Sequence, residues 1–478
     1  MQTIGKRIVQ GFFWTTGGQS FIIVFNLITN IILARLLGPE EFGIIGIILF
    51  FTTLANVFVK GGLGGALIRL PQARDSDLKT VFTLNLSVSV FAYLLLAVWS
   101  PAISSFYNEP RIKNVLLVAG LILFINAFQL VNNTLLIREM RFKQRSIYQL
   151  VSAIISSLLA ILSAYLGLGI WSLVILQLGN QLFITLQLAI FEPFYVKIGW
   201  SKSSFLSLYK FGLNTTITNL INTAFNNIYQ LVLGKYFSIN QVGFFYQAKK
   251  LEQVPNNVIN SFTQNVLYSG LSKLQNDMPQ FIKAYNRVTK TLTVLLGFMT
   301  IFTYLYGKEI ILLLYGSQWV NSAFYLQLLI IASFFFMQEK FNRVIFKVFD
   351  RTNLILILEI VKKIIHSISI ILGVVYDDLT ILLGGFIVTN IISFLINYYF
   401  SRSIIKDYSE LINLLKIIAS GVFSIFVVKY FNANLGLEGY SAFAGISVLI
   451  ISYLGVLQLL KGFDLKNDIR SIKKILKS

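Results

Sequence analysis

Phe25-Asn26-Leu27-Ile28-Thr29-Asn30-Ile31-Ile32-Leu33-Ala34-Arg35-Leu36-Leu37-Gly38 is written a second time two hundred positions on, as Phe225-Asn226-Asn227-Ile228-Tyr229-Gln230-Leu231-Val232-Leu233-Gly234-Lys235-Tyr236-Phe237-Ser238. Phe, Asn, Ile and Leu recur at the same offsets, Arg35 becomes Lys235, and Gly43 is matched by Gly243 after turns of similar length. An apolar segment that ends in a turn and is duplicated in this way marks the start of each half of a membrane transporter built from repeats.

Composition agrees. Of 478 residues, 56% are hydrophobic and 13% charged, and the mean hydropathy is +0.73. A soluble domain could not cover so much carbon with polar surface, so the class is integral membrane protein, all-α. The absence of cysteine excludes disulfide frameworks and thiolate metal sites, and a single histidine, His366, excludes multi-histidine centres. No metal and no cofactor is expected. In a soluble protein the net charge of +20 would suggest nucleic acid. Here the basic residues fall between apolar blocks, so no nucleic-acid partner is expected and topology accounts for the charge.

A spanning helix needs about 20 mostly apolar residues, and fourteen such blocks can be marked. Six occupy 11–37, 42–68, 80–103, 114–137, 146–168 and 170–191. Six more occupy 208–233, 242–267, 285–306, 322–346, 353–375 and 379–401, and two close the chain at 411–431 and 440–460. The first is too long for a signal-peptide core and reads as a retained helix. With both termini cytoplasmic, 27 Lys and Arg fall in inside segments and 6 outside, an asymmetry that favours this orientation. Six spans separate the two copies of the opening stretch, so the halves run parallel, related by an axis along the membrane normal. The expected organisation is an N-terminal lobe at 1–192, an inter-lobe loop at 193–207 that could lie in the membrane interface, and a C-terminal lobe at 208–402. Helices 13 and 14 follow at 403–461, and a basic cytoplasmic tail at 462–478.

Charges inside apolar blocks are the sharpest functional signal, because each costs about 2.5–3.5 kcal/mol at a helix centre and turns toward protein or a water-filled cavity. They are Lys60 in the second block, Lys249, Lys250 and Glu252 in the eighth, Glu339, Lys340 and Arg343 in the tenth, and Glu359, Lys362, Lys363 and His366 in the eleventh. Lys340, Arg343 and Lys347 at i, i+3, i+7 form a cationic face, with Lys347 a flank residue that helps set topology. Glu359 and Lys363 can pair at i, i+4. The functional reading is a basic wall for an anionic headgroup, with Lys340, Arg343, Lys249, Lys250, Lys362, Lys363 and Lys60 as substrate-binding candidates. The bland reading is snorkelling or mutual pairing. Glu359, Glu252, Glu339 and His366 are ion-coupling candidates, although a lone histidine is more often a buried, hydrogen-bonded side chain. The run Gly61-Gly62-Leu63-Gly64-Gly65 suits close packing or a broken helix. No carboxylate falls inside the first six blocks.

Ile31-Ile32-Leu33-Ala34-Arg35-Leu36-Leu37-Gly38-Pro39-Glu40-Glu41-Phe42-Gly43 and Gly62-Leu63-Gly64-Gly65-Ala66-Leu67-Ile68 resemble the start of bacterial O-antigen (Wzx-like) flippases. So do Leu136-Ile137-Arg138-Glu139-Met140-Arg141-Phe142, Gly167-Leu168-Gly169-Ile170-Trp171-Ser172-Leu173, Lys210-Phe211-Gly212-Leu213, Val242-Gly243-Phe244-Phe245-Tyr246-Gln247-Ala248 and Leu314-Tyr315-Gly316-Ser317-Gln318-Trp319. The likeness is to the lipopolysaccharide and teichuronic-acid exporter branch of the multidrug/oligosaccharidyl-lipid/polysaccharide (MOP, MATE-like) exporters. It implies two six-helix lobes, alternating access, the bacterial cytoplasmic membrane, and export of an undecaprenyl-diphosphate-linked oligosaccharide for O-antigen or exopolysaccharide. It also implies coupling to H+ or Na+, with membrane lipid and glycan-assembly proteins as partners. Lys60 departs from that family's pattern, in which many members have an acid at this position. Not an enzyme, then, on this reading. The alternatives are a multidrug or cation antiporter of the same fold and, less favoured, a membrane glycan polymerase or ligase. The latter needs acid/base groups on a large external loop, and the only outer acidic pair, Asp377 and Asp378, reads as a solvated turn.

Overall fold

A computed structural model describes residues 4–193, 195, 197–435 and 441–462. Among the described residues every regular element is helical. In chain order these are α1 (Ile4–Leu36), α2 (Pro39–Lys60), α3 (Leu63–Arg69), α4 (Asp75–Tyr107), α5 (Arg111–Gly120), α6 (Ile122–Arg138), α7 (Phe142–Tyr165), α8 (Ile170–Phe191), α9 (Lys202–Tyr236) and α10 (Ile239–Phe262). A π-helical turn (Thr263–Leu267) joins α10 to α11 (Tyr268–Ser272). Then come α12 (Met278–Tyr315), α13 (Ser322–Val348), α14 (Thr352–Val375), α15 (Leu379–Ile405), α16 (Ser409–Leu435) and α17 (Ser441–Leu459).

When α2 with α3, α5 with α6, and α10 with α11 are each taken as one rod, every expected apolar block holds one helix. Among the described residues 9 helices are long and apolar enough to cross a membrane, and Phe21–Leu36 and Ala444–Leu459 are shorter apolar helices. The long helices outside these sets are α9, α10 and α14. They carry Thr215, Thr216, Thr218 and Asn219, then Lys249, Lys250 and Glu252, then Glu359, Lys362 and Lys363. Polar content, not length, sets them apart.

The chain divides into two compact units, Met1–Tyr246 with Leu314–Gln318, and Gln247–Leu313 with Trp319–Ser478. Residues 463–478 of the expected basic tail lie outside the described residues.

Within the first unit the sequence repeat has a physical counterpart. Positions 39 and 239, and 43 and 243, are equivalent. A Cβ on Gly43 would stand 2.0 Å from the Ile239 carbonyl oxygen, and a Cβ on Gly243 2.0 Å from that of Pro39. Neither site has room for any residue larger than glycine. The contact is reciprocal, as a local two-fold axis between the N-terminal ends of α2 and α10 requires. The helix ends repeat the pattern. Arg35 Nε donates to Leu314 O at 2.8 Å, near the end of α12, and Lys235 Nζ donates to Phe106 O at 2.8 Å, near the end of α4. A cation there meets carbonyls with no partner inside the helix and the negative end of the dipole. The equivalence of Arg35 and Lys235 is read from sequence. The structure adds that each caps the third span of the other repeat.

The glycine run breaks the rod between α2 and α3, where Gly61 and Gly62 adopt φ of +50° and +62°. It also packs closely, since a Cβ on Gly212 would meet Gly61 O at 2.7 Å. The expected inter-lobe loop is shorter than its 193–207 span, because α9 begins at Lys202, capped by Ser201, whose hydroxyl accepts the Ser204 N–H. Ahead of it the chain is fastened to α4. Thr83 Oγ1 donates to Gly199 O at 2.9 Å and accepts its N–H at 3.0 Å, and Ser201 N–H reaches Thr80 Oγ1 at 3.0 Å. Trp200 stays exposed beside Phe205.

Candidate functional site

The second unit holds a buried charged network on α10, α13 and α14. Helix α13 is buried on most of its circumference, Phe334, Met337, Phe341, Val344, Ile345 and Phe346 together with Gln338, Glu339 and Asn342, as in a helix enclosed by protein. Helix α14 is two-faced. Ile357, Ile360, Ile364, Ile368 and Ile371 are exposed, while Leu358, Lys362, His366 and Ile370 make a buried stripe at four-residue spacing. The apolar face turns Lys362 and His366 inward.

Glu339 is the hub. Its carboxylate is fully buried, accepts Lys362 Nζ at 2.7 Å and Ser393 Oγ at 2.8 Å, and pairs with Arg343. Arg343 also reaches Glu359 at 2.5 Å, and Glu359 pairs with Lys363 at 3.3 Å. His366 lies against Phe386, ring centroids 5.4 Å apart and planes tilted by 32°. The expected single cationic face of α13 is divided in two. Arg343 turns toward α14, whereas Lys340 and Lys347, seven residues apart, turn toward the α10 side. Lys340 Nζ donates to Asn260 Oδ1 at 3.0 Å and Lys347 Nζ to Gln264 Oε1 at 2.7 Å. The reason is angular: a step of three residues rotates the side chain by about 60°, a step of seven by only about 20°.

Facing α13 is a stripe that the search for charges passes over. Glu252, Asn256, Asn260 and Gln264 follow at four-residue spacing, the last inside the π-helical turn, a feature frequent at functional sites. Ser333 Oγ donates to Glu252 at 2.5 Å, and Asn256 bonds both. The spacing is the sequence signal for these amides. Lys340 and Lys362 both lie 4.6 Å from the Phe336 ring centre, so one aromatic ring serves two cations. Lys249 and Lys250 stand on the same helix as Glu252 and are partly buried. Lys60 belongs to the other unit, exposed in the last turn of α2.

A second buried network is also absent from the sequence reading. Arg402, one of the 27 cations assigned to inside segments, is 2% exposed. It pairs with Glu410, donates to Asn342 Oδ1 at 2.8 Å and to Asp407 O at 2.7 Å, and lies over Tyr398. Tyr285 OH and Asn342 Nδ2 donate to Glu410 at 3.0 and 2.9 Å. Every charge there is matched, and the cluster fastens α16 to α12, α13 and α15.

The α10, α13 and α14 cluster is not matched. These three helices carry seven cations, Lys249, Lys250, Lys340, Arg343, Lys347, Lys362 and Lys363, against three carboxylates, Glu252, Glu339 and Glu359. Among the described residues no group of three or more His, Cys, Asp or Glu could hold a metal ion. The arrangement can therefore bind an anion, and its Ser, Asn and Gln groups can bond to hydroxyls.

Residues 32–324 match the family described as polysaccharide biosynthesis protein. Among curated relatives, the succinoglycan biosynthesis transport protein ExoT of Rhizobium meliloti (strain 1021) is 24% identical over 314 residues, 66% of this chain and 64% of that one. The teichuronic acid biosynthesis protein TuaB of Bacillus subtilis (strain 168) is 20% identical over 85% of this chain and 84% of its own length. Among solved structures, the lipid II flippase MurJ in an inward closed conformation superposes with a TM-score of 0.70 at 18% identity, over 93% of this chain and 98% of MurJ, which establishes the fold.

Proposed function

The chain belongs to the polysaccharide biosynthesis protein family, and from that premise we propose that it is a flippase for a lipid-linked oligosaccharide carried on a polyprenyl diphosphate. The observation that carries this reading is the surplus of four positive charges, largely shielded from the surface, on α10, α13 and α14. A diphosphate brings two or more negative charges. Binding them offsets the cost of keeping that surplus out of water, while the prenyl tail stays in lipid.

The partners of each cation divide the labour. Arg343, Lys362 and Lys363 are tied to carboxylates, so they act mainly to hold α13 and α14 together. Lys340 is met by the Asn260 amide oxygen and the Phe336 ring, partners that a phosphate oxygen displaces more readily than it displaces a carboxylate. Lys340 is therefore the first phosphate ligand, with Lys249 and Lys250 on α10 as further candidates. Glu252, bonded to Asn256 and Ser333, is the best-placed ion-coupling acid, since Glu339 and Glu359 each neutralise two cations. Transport from the inner to the outer leaflet by alternating access, in a bacterial cytoplasmic membrane with both termini cytoplasmic, completes the reading. The drug-antiporter alternative wants an accessible carboxylate, and two of the three candidates are neutralised.

The test is the triple variant Lys340→Gln, Lys249→Gln, Lys250→Gln, which spares the carboxylate-bound Arg343. Polysaccharide export in cells is expected to fall to background at unchanged protein level. Export at the wild-type rate would remove the site from consideration.

A further inference from the structure

The first unit carries a groove outside the phosphate site proposed above. It has a volume of about 360 Å3 and lies between α2, α4 and α9, walled chiefly by Phe51, Ile103, Tyr107, Leu231 and Val232, with Lys235 its only charged lining residue. It adjoins an interruption in α4. Pro101 cannot donate to the Ala97 carbonyl one turn earlier, and Ser100 Oγ takes that place at 2.9 Å. The interruption is thus satisfied by the local sequence.

We propose that this groove binds an anionic phospholipid, one hydrocarbon chain lying along the carbon wall and the phosphate at Lys235. The volume lies in the range of ligand sites, and a carbon wall with one oriented polar group is their usual composition. Water would find few partners there. Lys235 is fixed at the rim. Its ammonium gives one N–H to Phe106 O and stands 4.2 Å from the centre of the Phe106 ring, which leaves donors for a headgroup oxygen. Phe106 and Tyr236 line the groove and are half-exposed, as aromatic residues at a membrane interface are. A net negative headgroup complements the single cation, and a zwitterionic one does so less well.

The experiment is native mass spectrometry of the full-length protein in detergent, titrated with dioleoyl-phosphatidylglycerol or dioleoyl-phosphatidylcholine. Wild type is expected to retain phosphatidylglycerol about fivefold better, the ~1 kcal/mol that a basic residue contributes beside anionic lipid. Lys235→Gln is expected to abolish that preference, Lys235→Arg to keep it, and Val232→Phe, which fills the groove, to lower retention of both lipids. Equal retention by wild type, or an undiminished preference in Lys235→Gln, overturns the proposal. So does unchanged retention in Val232→Phe, or retention of inorganic phosphate in place of lipid. Should Lys235→Gln fail to fold, the arginine and phenylalanine variants decide. The readout is binding, so its failure leaves the transport reading untouched.

Discussion

Replacing Glu339 by glutamine keeps the volume and the hydrogen-bond acceptor and removes one charge from the buried network. The carboxylate is 0% exposed and shared by Arg343, Lys362 and Ser393. After the change Arg343 still has Glu359 at 2.5 Å, but among the described residues no other carboxylate lies within ion-pair distance of Lys362. One cation is orphaned, not two. Removing a single partner from a buried pair costs about 3–5 kcal/mol, because the remaining charge is left uncompensated, and that is the expected loss of stability. Adding Lys362→Met removes the orphan, and apolar replacement of a whole buried pair is often neutral. The double variant is therefore expected to regain most of the loss. Reversible unfolding in bicelles, followed by tryptophan fluorescence, measures the cycle. A single-variant cost below about 1 kcal/mol, or a double variant no better than the sum of its parts, would refute the assignment of Glu339 as counter-ion to Lys362.

The reciprocal glycine contact makes Gly43→Ala and Gly243→Ala equally severe, since each methyl would stand 2.0 Å from a carbonyl oxygen. A loss of about 3 kcal/mol or more is expected for both in thermal unfolding, and tolerance of either argues against the local two-fold. Between α4 and α5, Glu109 is held below its usual carboxylate range by hydrogen bonds from the Arg111 guanidinium. A group lowered by folding stabilises above its unfolded pKa and loses that contribution as pH falls through the lowered value. Melting temperature should thus decline on the acid side in wild type and less steeply in Glu109→Gln; parallel profiles would dismiss this ion pair.

The fold could be read because duplication leaves equal residues at equal offsets, and because fourteen apolar blocks have no other stable use. The buried cations could be read because charge within such a block is costly. Their partners could not. Asn256, Asn260 and Gln264 are ordinary amides whose value lies in facing Lys340 and Lys347 across a helix interface, and only the four-residue spacing from Glu252 hinted at it. The division of α13 into an Arg343 side and a Lys340 side needed the positions of its neighbours. Arg402 was assigned to topology because it ends an apolar block. Its burial depends on the turn that returns Glu410 to it, a tertiary fact with no local signature. Likewise the repeat declares Arg35 and Lys235 equivalent, but not that each reaches the helix end of the other repeat.

The central claim is that cations on α10 and α13 receive the diphosphate of a lipid-linked glycan. Flipping by the purified protein in proteoliposomes tests it most directly, with the same oligosaccharide supplied on a polyprenyl diphosphate or on an uncharged polyprenol. The account predicts transport of the diphosphate-linked glycan alone, lost in Lys340→Gln with folding intact. Equal transport of the uncharged lipid, or an unimpaired Lys340→Gln protein, would contradict it.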